Sequence, residues 1–203
     1  MERKSIDENF RRKPTGAAVM RSDLTDALYR AFFEEWAEHG YTGLSLERVA
    51  ARAGAGKAAI YRRWPSKLAI ASEAVEKLGL ALTDVSDRGG LTEELEAYLL
   101  MMRRALRHRL VRRILPDLYA EGARSNELAP LLAKFAGARR GAGVAMIERA
   151  VSRGELRHNI DRELALDLVP SVLYWRMIIL KRRVTREQIG RQVKALVAAL
   201  KAS

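Results

Sequence analysis

A chain of 203 residues with 48% hydrophobic content is long enough for a sizeable core and too apolar to be disordered. Its 37 basic and 25 acidic residues leave a formal charge of +12, which favours polyanionic partners, nucleic acid or an anionic membrane surface. The absence of cysteine excludes disulfides, thiolate zinc sites and cysteine nucleophiles.

Residues 1–20 are polar, carry RRK at 11–13 and read as a flexible basic arm; MERKSIDENFRRKPTG lacks the apolar core of a signal peptide. A first helix is predicted over 22–39, with Leu24, Leu28, Phe32 and Trp36 on one face and HGYTG ending it. Ser45 then caps a short helix over 46–53 that buries Leu46, Val49, Ala50 and Ala53. Gly54 to Gly56 make a turn, and a third short helix runs over 57–64 until Pro65 stops it. Ser66 caps a longer helix to about Leu82, and TDVSDRGGLTEE breaks the chain.

ELEAYLLMMRRALRHRL reads as one strongly amphipathic helix, after which Pro116 and Pro130 punctuate two shorter pieces. Further helices are expected over 132–153, ended by Gly154, and over 162–183. The run LALDLVPSVLYWRMIIL contains Asp167, Pro170 and Arg176 and is short for a bilayer span, so no membrane partner and a cytoplasmic location are expected. The last helix opens with a Thr185-x-x-Gln188 capping box and carries Ile189, Val193, Leu196, Val197 and Leu200 along one stripe. The fold class is all-α, about nine helices with no sheet.

GAGKAAIYRRWPSK, residues 54–67, invites a phosphate-loop reading, but that loop needs glycine where Ala51 stands and a hydroxyl where Ala58 stands. Two short helices about a glycine turn form a helix-turn-helix pattern instead, with Ala50 at the close crossing and Ile60 as the plug. An ordinary helical hairpin would share that pattern. Charge separates the two: six basic residues (Arg48, Arg52, Lys57, Arg62, Arg63, Lys67) face one acid, Glu47, between Gly40 and Lys67. In a major groove the start of the third helix goes deepest, so Lys57, Ala58 and Ala59 are candidates for base edges. Tyr61, Arg62, Arg63, Lys67 and Ser45 are candidates for phosphate.

YTGLSLERVAARAGAGKAAIYRRWPSKLAI resembles the DNA-binding domain of the TetR family of bacterial transcriptional regulators. Ser45, Val49-Ala50, Ala53-Gly54, Ile60-Tyr61 and Ser66-Lys67 match its pattern, whereas Gly56 and Ala59 stand where family members often carry hydroxyl residues. YRRWPSK and RAVSRGELRHNIDRELALDL resemble a subgroup frequent in GC-rich bacteria. The resemblance implies a helix-turn-helix domain over 21–67 and a helical regulatory and dimerisation domain over 68–203. It implies a ligand-responsive homodimeric repressor that binds a pseudo-palindromic double-stranded DNA operator, with a small-molecule effector of unknown identity.

The interface is then expected on the last two helices, at Trp175, Ile178, Ile179, Val193, Leu196 and Leu200; the predicted helix over 162–183 is itself apolar on more than one face. The effector pocket is expected at Tyr98, Met101, Met102, Tyr119 and Tyr174, residues that also suit plain core. MMRRALRHRLVRR fits either an anionic ligand or a solvated face. The alternative function is a DNA-binding protein of the same fold without an effector, in an activating or architectural role. Enzymatic function is not expected: His39, His108 and His158 are scattered, and neither a Gly-x-Ser-x-Gly elbow nor a dinucleotide glycine fingerprint is present. No cofactor is expected.

Overall fold

The computed structural model describes residues 16–81 and 86–203. Among the described residues there are nine α-helices and no strand: α1 (Gly16–Gly43), α2 (Leu46–Arg52), α3 (Lys57–Arg63), α4 (Lys67–Ala81), α5 (Leu91–Arg107), α6 (Arg109–Arg124), α7 (Ala129–Ser152), α8 (Arg162–Tyr174) and α9 (Arg186–Ala202). The expected arm lies outside the described residues up to position 15. Its last residues are helical, since α1 begins at Gly16 rather than near residue 22.

Leu28, Phe32 and Trp36 are fully buried on one side of α1, as their four-residue spacing predicts. Gly40 breaks that helix with φ 69°, a conformation that penalises any Cβ, and an added Cβ there would come within 3.0 Å of Asp117 Oδ1. The chain therefore turns while staying close to α6. Behind the first three helices, α1 packs on α6, α4 on α7, and α5 on α9.

Two boundaries differ from expectation. The helix predicted across 94–110 is split at His108, whose extended backbone (ψ 131°) separates α5 from α6. Pro116, expected as punctuation, lies inside α6 instead. Pro116 and Arg112 are both exposed, so water can satisfy the Arg112 carbonyl that the proline leaves without an N–H. Pro130 does act at a boundary, in the first turn of α7.

The apolar segment predicted as one helix to residue 183 widens after Tyr174 into a π-helical turn, Trp175–Ile179. Leu180 N donates to Trp175 O at 2.9 Å, and Lys181 takes φ 52°, ending the helix. The predicted capping box is present: Gln188 N donates to Thr185 Oγ1 at 3.2 Å and Thr185 N to Gln188 Oε1 at 2.9 Å.

Fully buried Glu94 ties α5 to the end of α7 through Arg149 and through Arg153 at 2.9 Å. Among the described residues no helix is long and apolar enough to cross a membrane.

Candidate nucleic-acid interface

The local sequence dictates how α3 is displayed. Ser45 Oγ accepts from Arg48 N at 3.4 Å and caps α2, which buries Leu46, Val49 and Ala50. Gly54 takes φ 67° and Ala55 N returns to Ala50 O at 2.9 Å, closing the turn. Ile60, fully buried, pins α3 to the core, and buried Trp64 closes its end against the Tyr29 ring at 5.3 Å, donating to Glu73 Oε2 at 2.7 Å. With Ile60 inward, the opposite face of a single two-turn helix must point to solvent. Lys57, Ala58, Tyr61 and Arg62 are exposed there, and Ala59 is half-buried.

Glu47, the one acid of this surface, organises it. It sits 2.8 Å from Lys57 Nζ, accepts from Tyr61 OH at 2.9 Å, and accepts from Ser45 Oγ at 3.0 Å. The hydrogen bond from Lys57, followed by backbone, Tyr61 and Ser45 bonds, holds the Glu47 carboxyl down at about 2. Lys57 is raised by the same partner and lies over the Tyr61 ring at 5.5 Å. The sequence shows the acid but not this convergence, which depends on the crossing of α2 and α3.

The six basic residues divide by role. Arg48 donates to Glu35 at 2.5 Å and to Gly43 O at 2.6 Å, and Arg52 grips Glu38 at 2.7 and 3.0 Å, so both fasten α2 to α1. Arg63, expected at phosphate, is half-buried and donates to Thr25 on α1. Lys67 donates to Tyr41 O at 3.2 Å and lies 4.5 Å from that ring's centre, at the start of α4. Arg62 has no ion pair or hydrogen bond among the described residues and projects to solvent. Lys57, Tyr61, Arg62 and Lys67 thus lie on or beside the exposed face of α3, a short basic helix able to enter a groove. Glu35, Glu38 and His39 also converge, but arginines already occupy the carboxylates.

Behind this head lie two adjoining cavities. One, of about 190 Å³, is walled by α5, α6 and α7 with Tyr98, Met101, Met102 and Tyr174 in its lining. The other, of about 400 Å³, lies between α7 and α8 and is lined by Tyr98, Tyr119 and Tyr174 among others. All five residues expected at a pocket therefore border one cavity or both. In MMRRALRHRLVRR, the basic side chains at 104, 107, 109, 112 and 113 are exposed, a solvated face, and Arg103 donates to Val184 O at 2.6 Å.

The residues expected at a dimer interface separate in the same way. Val193, Leu196 and Leu200 are buried where α9 packs on α5, and Ile178 is buried in the π-helical turn, so these four lie in the chain's own core and present little surface to a second copy. Trp175 is 57% exposed and Ile179 48%, beside exposed Val172 and Leu180. On α9 the outward residues include Ala195, Ala198, Ala199 and Ala202.

Comparison with known proteins finds matches to both parts of the chain. Residues 28–74 match the family described as "Bacterial regulatory proteins, tetR family", and residues 85–196 match "Tetracyclin repressor-like, C-terminal domain". The chain is 32% identical over 150 residues to the DNA-binding transcriptional repressor TetR of Mycobacteroides abscessus, spanning 69% of this chain and 74% of that one. Salmonella enterica GusR shares the fold with a TM-score of 0.72 at 20% identity, over 94% of this chain and 98% of its own. The flavonoid-responsive regulator FrrA does so with a TM-score of 0.68 at 22% identity, over 89% and 95%.

Proposed function

The chain belongs to the TetR family of transcriptional regulators, and we propose that within it this protein is a homodimeric repressor whose α3 helices read a pseudo-palindromic operator. The observation that carries this reading is the exposed face of α3, where Lys57, Tyr61 and Arg62 stand outward on a helix fixed from behind by Ile60 and Trp64. Lys57, Ala58 and Ala59 face base edges. Tyr61, Arg62, Lys67 and the capped Ser45 terminus hold phosphate, which sets position without reading sequence. Arg63 supports the head through α1.

Two copies join through the face of Trp175, Ile179, Val172 and Leu180 together with the alanine side of α9. An apolar patch of this kind on a basic chain is best covered by a symmetric partner. The dimer sets its two α3 helices about 34–36 Å apart, one turn of DNA. We read residues 21–67 as the DNA-binding domain and residues 68–203 as the regulatory and dimerisation domain.

Repression is relieved by a small molecule in the cavities. A ligand releases DNA only if it binds the non-binding arrangement more tightly, so the cavity must be mechanically tied to the head. Helix α6 supplies the tie. Ile114, Leu115 and Leu118 wall the smaller cavity, while Asp117 accepts from Trp36 Nε1 at 2.7 Å and from Tyr41 N at 2.9 Å. Tyr41 in turn holds Lys67.

Footprinting on the DNA flanking the protein's own gene tests this reading at near-physiological salt. The expected result is a protected dyad; smooth protection that disappears with modest added salt would overturn an operator beside the protein's own gene and leave a target elsewhere in the genome or an architectural role.

A further inference from the structure

The two cavities share three lining residues, Tyr98, Tyr174 and Arg139. Arg139 on α7 is half-buried, has no carboxylate or hydrogen-bond partner among the described residues, and lies 5.9 Å over the Phe135 ring. Its neighbour Arg140 is fully engaged, by Glu163 and by Asp167 at 3.2 Å. Around Arg139 stand Tyr98, 5% exposed, and the edge-to-face pair Tyr119 and Tyr174, whose ring centres are 5.9 Å apart. None of these three phenols has a hydrogen-bond partner among the described residues. One guanidinium and three hydroxyls that line a shared waist without a hydrogen-bond partner among the described residues offer a converging set of donors to an incoming acceptor.

We infer that the site takes an apolar monocarboxylate, its carboxylate on Arg139 between the tyrosine hydroxyls and its body in the chamber of α5 and α6. This rests on the ligand-responsive reading above and names the ligand's chemistry. The planar guanidinium presents paired donors that suit a carboxylate, and the phenols supply further donors to the same two oxygens. The charge must be single. Among the described residues Arg139 is the one uncompensated cation at the waist, and Asp167 lies on the wall of the larger cavity. A dianion such as a phosphate monoester would leave a buried charge without a partner.

The other end of the ligand is set by the smaller chamber, where Phe33, Met101, Met102, Leu110 and Phe135 offer apolar and adaptable surface. The two volumes, about 190 and 400 Å³, together lie in the roughly 300–1,000 Å³ range of small-molecule sites.

The test uses the full-length protein and the neutral dye N-phenyl-1-naphthylamine, whose fluorescence reports entry into an apolar cavity. Decanoate and decanol, and 2-naphthoate and 2-naphthylmethanol, are titrated as displacers; the first pair represents chain acids and the second ring acids. At least one acid is expected to displace the dye tenfold or more below its alcohol. That preference is expected to fall to about one in Arg139→Gln and to survive in part in Arg139→Lys, with melting temperatures confirming that both variants fold. Dye uptake with equal displacement by acid and alcohol, or a preference unchanged in Arg139→Gln, would overturn the carboxylate site while leaving a ligand-responsive cavity. No dye uptake and no binding by either pair would overturn both.

Discussion

Between Ser45 and Lys67, Arg48, Arg52, Arg63, Lys57 and Lys67 all have partners within the chain, and Glu47 alone takes three. Around the cavities, Arg139 and three tyrosines have none among the described residues. Satisfied polar networks rigidify, whereas unsatisfied ones hold back interactions for an incoming group. The difference teaches that, Arg62 apart, the basic groups around α3 are held in place before any partner arrives, as the proposed groove probe would need in order to discriminate. The cavity is incomplete by itself, and under the proposed ligand-responsive function an occupant that satisfies its waist would gain the free energy to shift α6.

The contrast can be broken most forcefully at the junction between the two regions. Asp117→Ala leaves the buried donors of Trp36 and Tyr41 without an acceptor, and denaturant unfolding is expected to show a loss of about 1–3 kcal/mol for each orphaned donor. The cavity side is expected to respond far less.

Under the proposed function, removing an anchor from the head is expected to affect binding more than folding. Lys67→Ala is expected to weaken binding to every DNA sequence alike and to flatten the salt slope by about one unit for each phosphate it no longer neutralises, read by fluorescence anisotropy across a salt series. A change confined to one sequence would assign Lys67 to base reading.

Acid sharpens the picture of the head. Because Glu47 is held at about 2, below its ordinary 4.5, the unfolded chain takes up a proton there before the folded chain does. Its contribution is therefore fully present above about pH 4.5 and is lost as the pH falls toward 2. In urea unfolding, the gap between the parent protein and Glu47→Gln is expected to shrink across that window and to stay constant above it.

The smallest effect is expected in the cavity. Tyr98→Phe removes a hydroxyl that has no partner among the described residues, so stability should change by about 0.5 kcal/mol or less. A loss comparable to that of Asp117→Ala would show that the cavity is as tightly tied as the head.

Local signals were legible wherever a residue acts on its own neighbourhood. Thr185 and Gln188 box the start of α9, Ser45 caps α2, and Gly54 turns the chain, all from short-range geometry. The four-residue spacing of Leu28, Phe32 and Trp36 likewise revealed the buried side of α1. The break at His108 was not legible, because no glycine or proline marks it, and Pro116 drew attention to the wrong place.

Partner choice was hidden for a different reason. The stripe of Val193, Leu196 and Leu200 shows that α9 buries a face but not against what, and α5 of the same chain takes it. Arg63 and Arg62 are adjacent in sequence and differ only in which side of a short helix they leave. Arg139 sits beside Arg140 with nothing in the letters to show which of them finds acids; α8 decides that by bringing Glu163 and Asp167 to one of them.

The most direct test of the head as a reader is selection from a pool of randomised duplexes, run in parallel with the parent protein and with Lys57→Ala. The parent is expected to enrich an inverted repeat. The variant should enrich the same repeat with one position per half-site relaxed, a discrimination loss of about 1–3 kcal/mol. An identical motif from both proteins would remove Lys57 from base reading, and the absence of any motif from the parent would contradict sequence-specific recognition by α3.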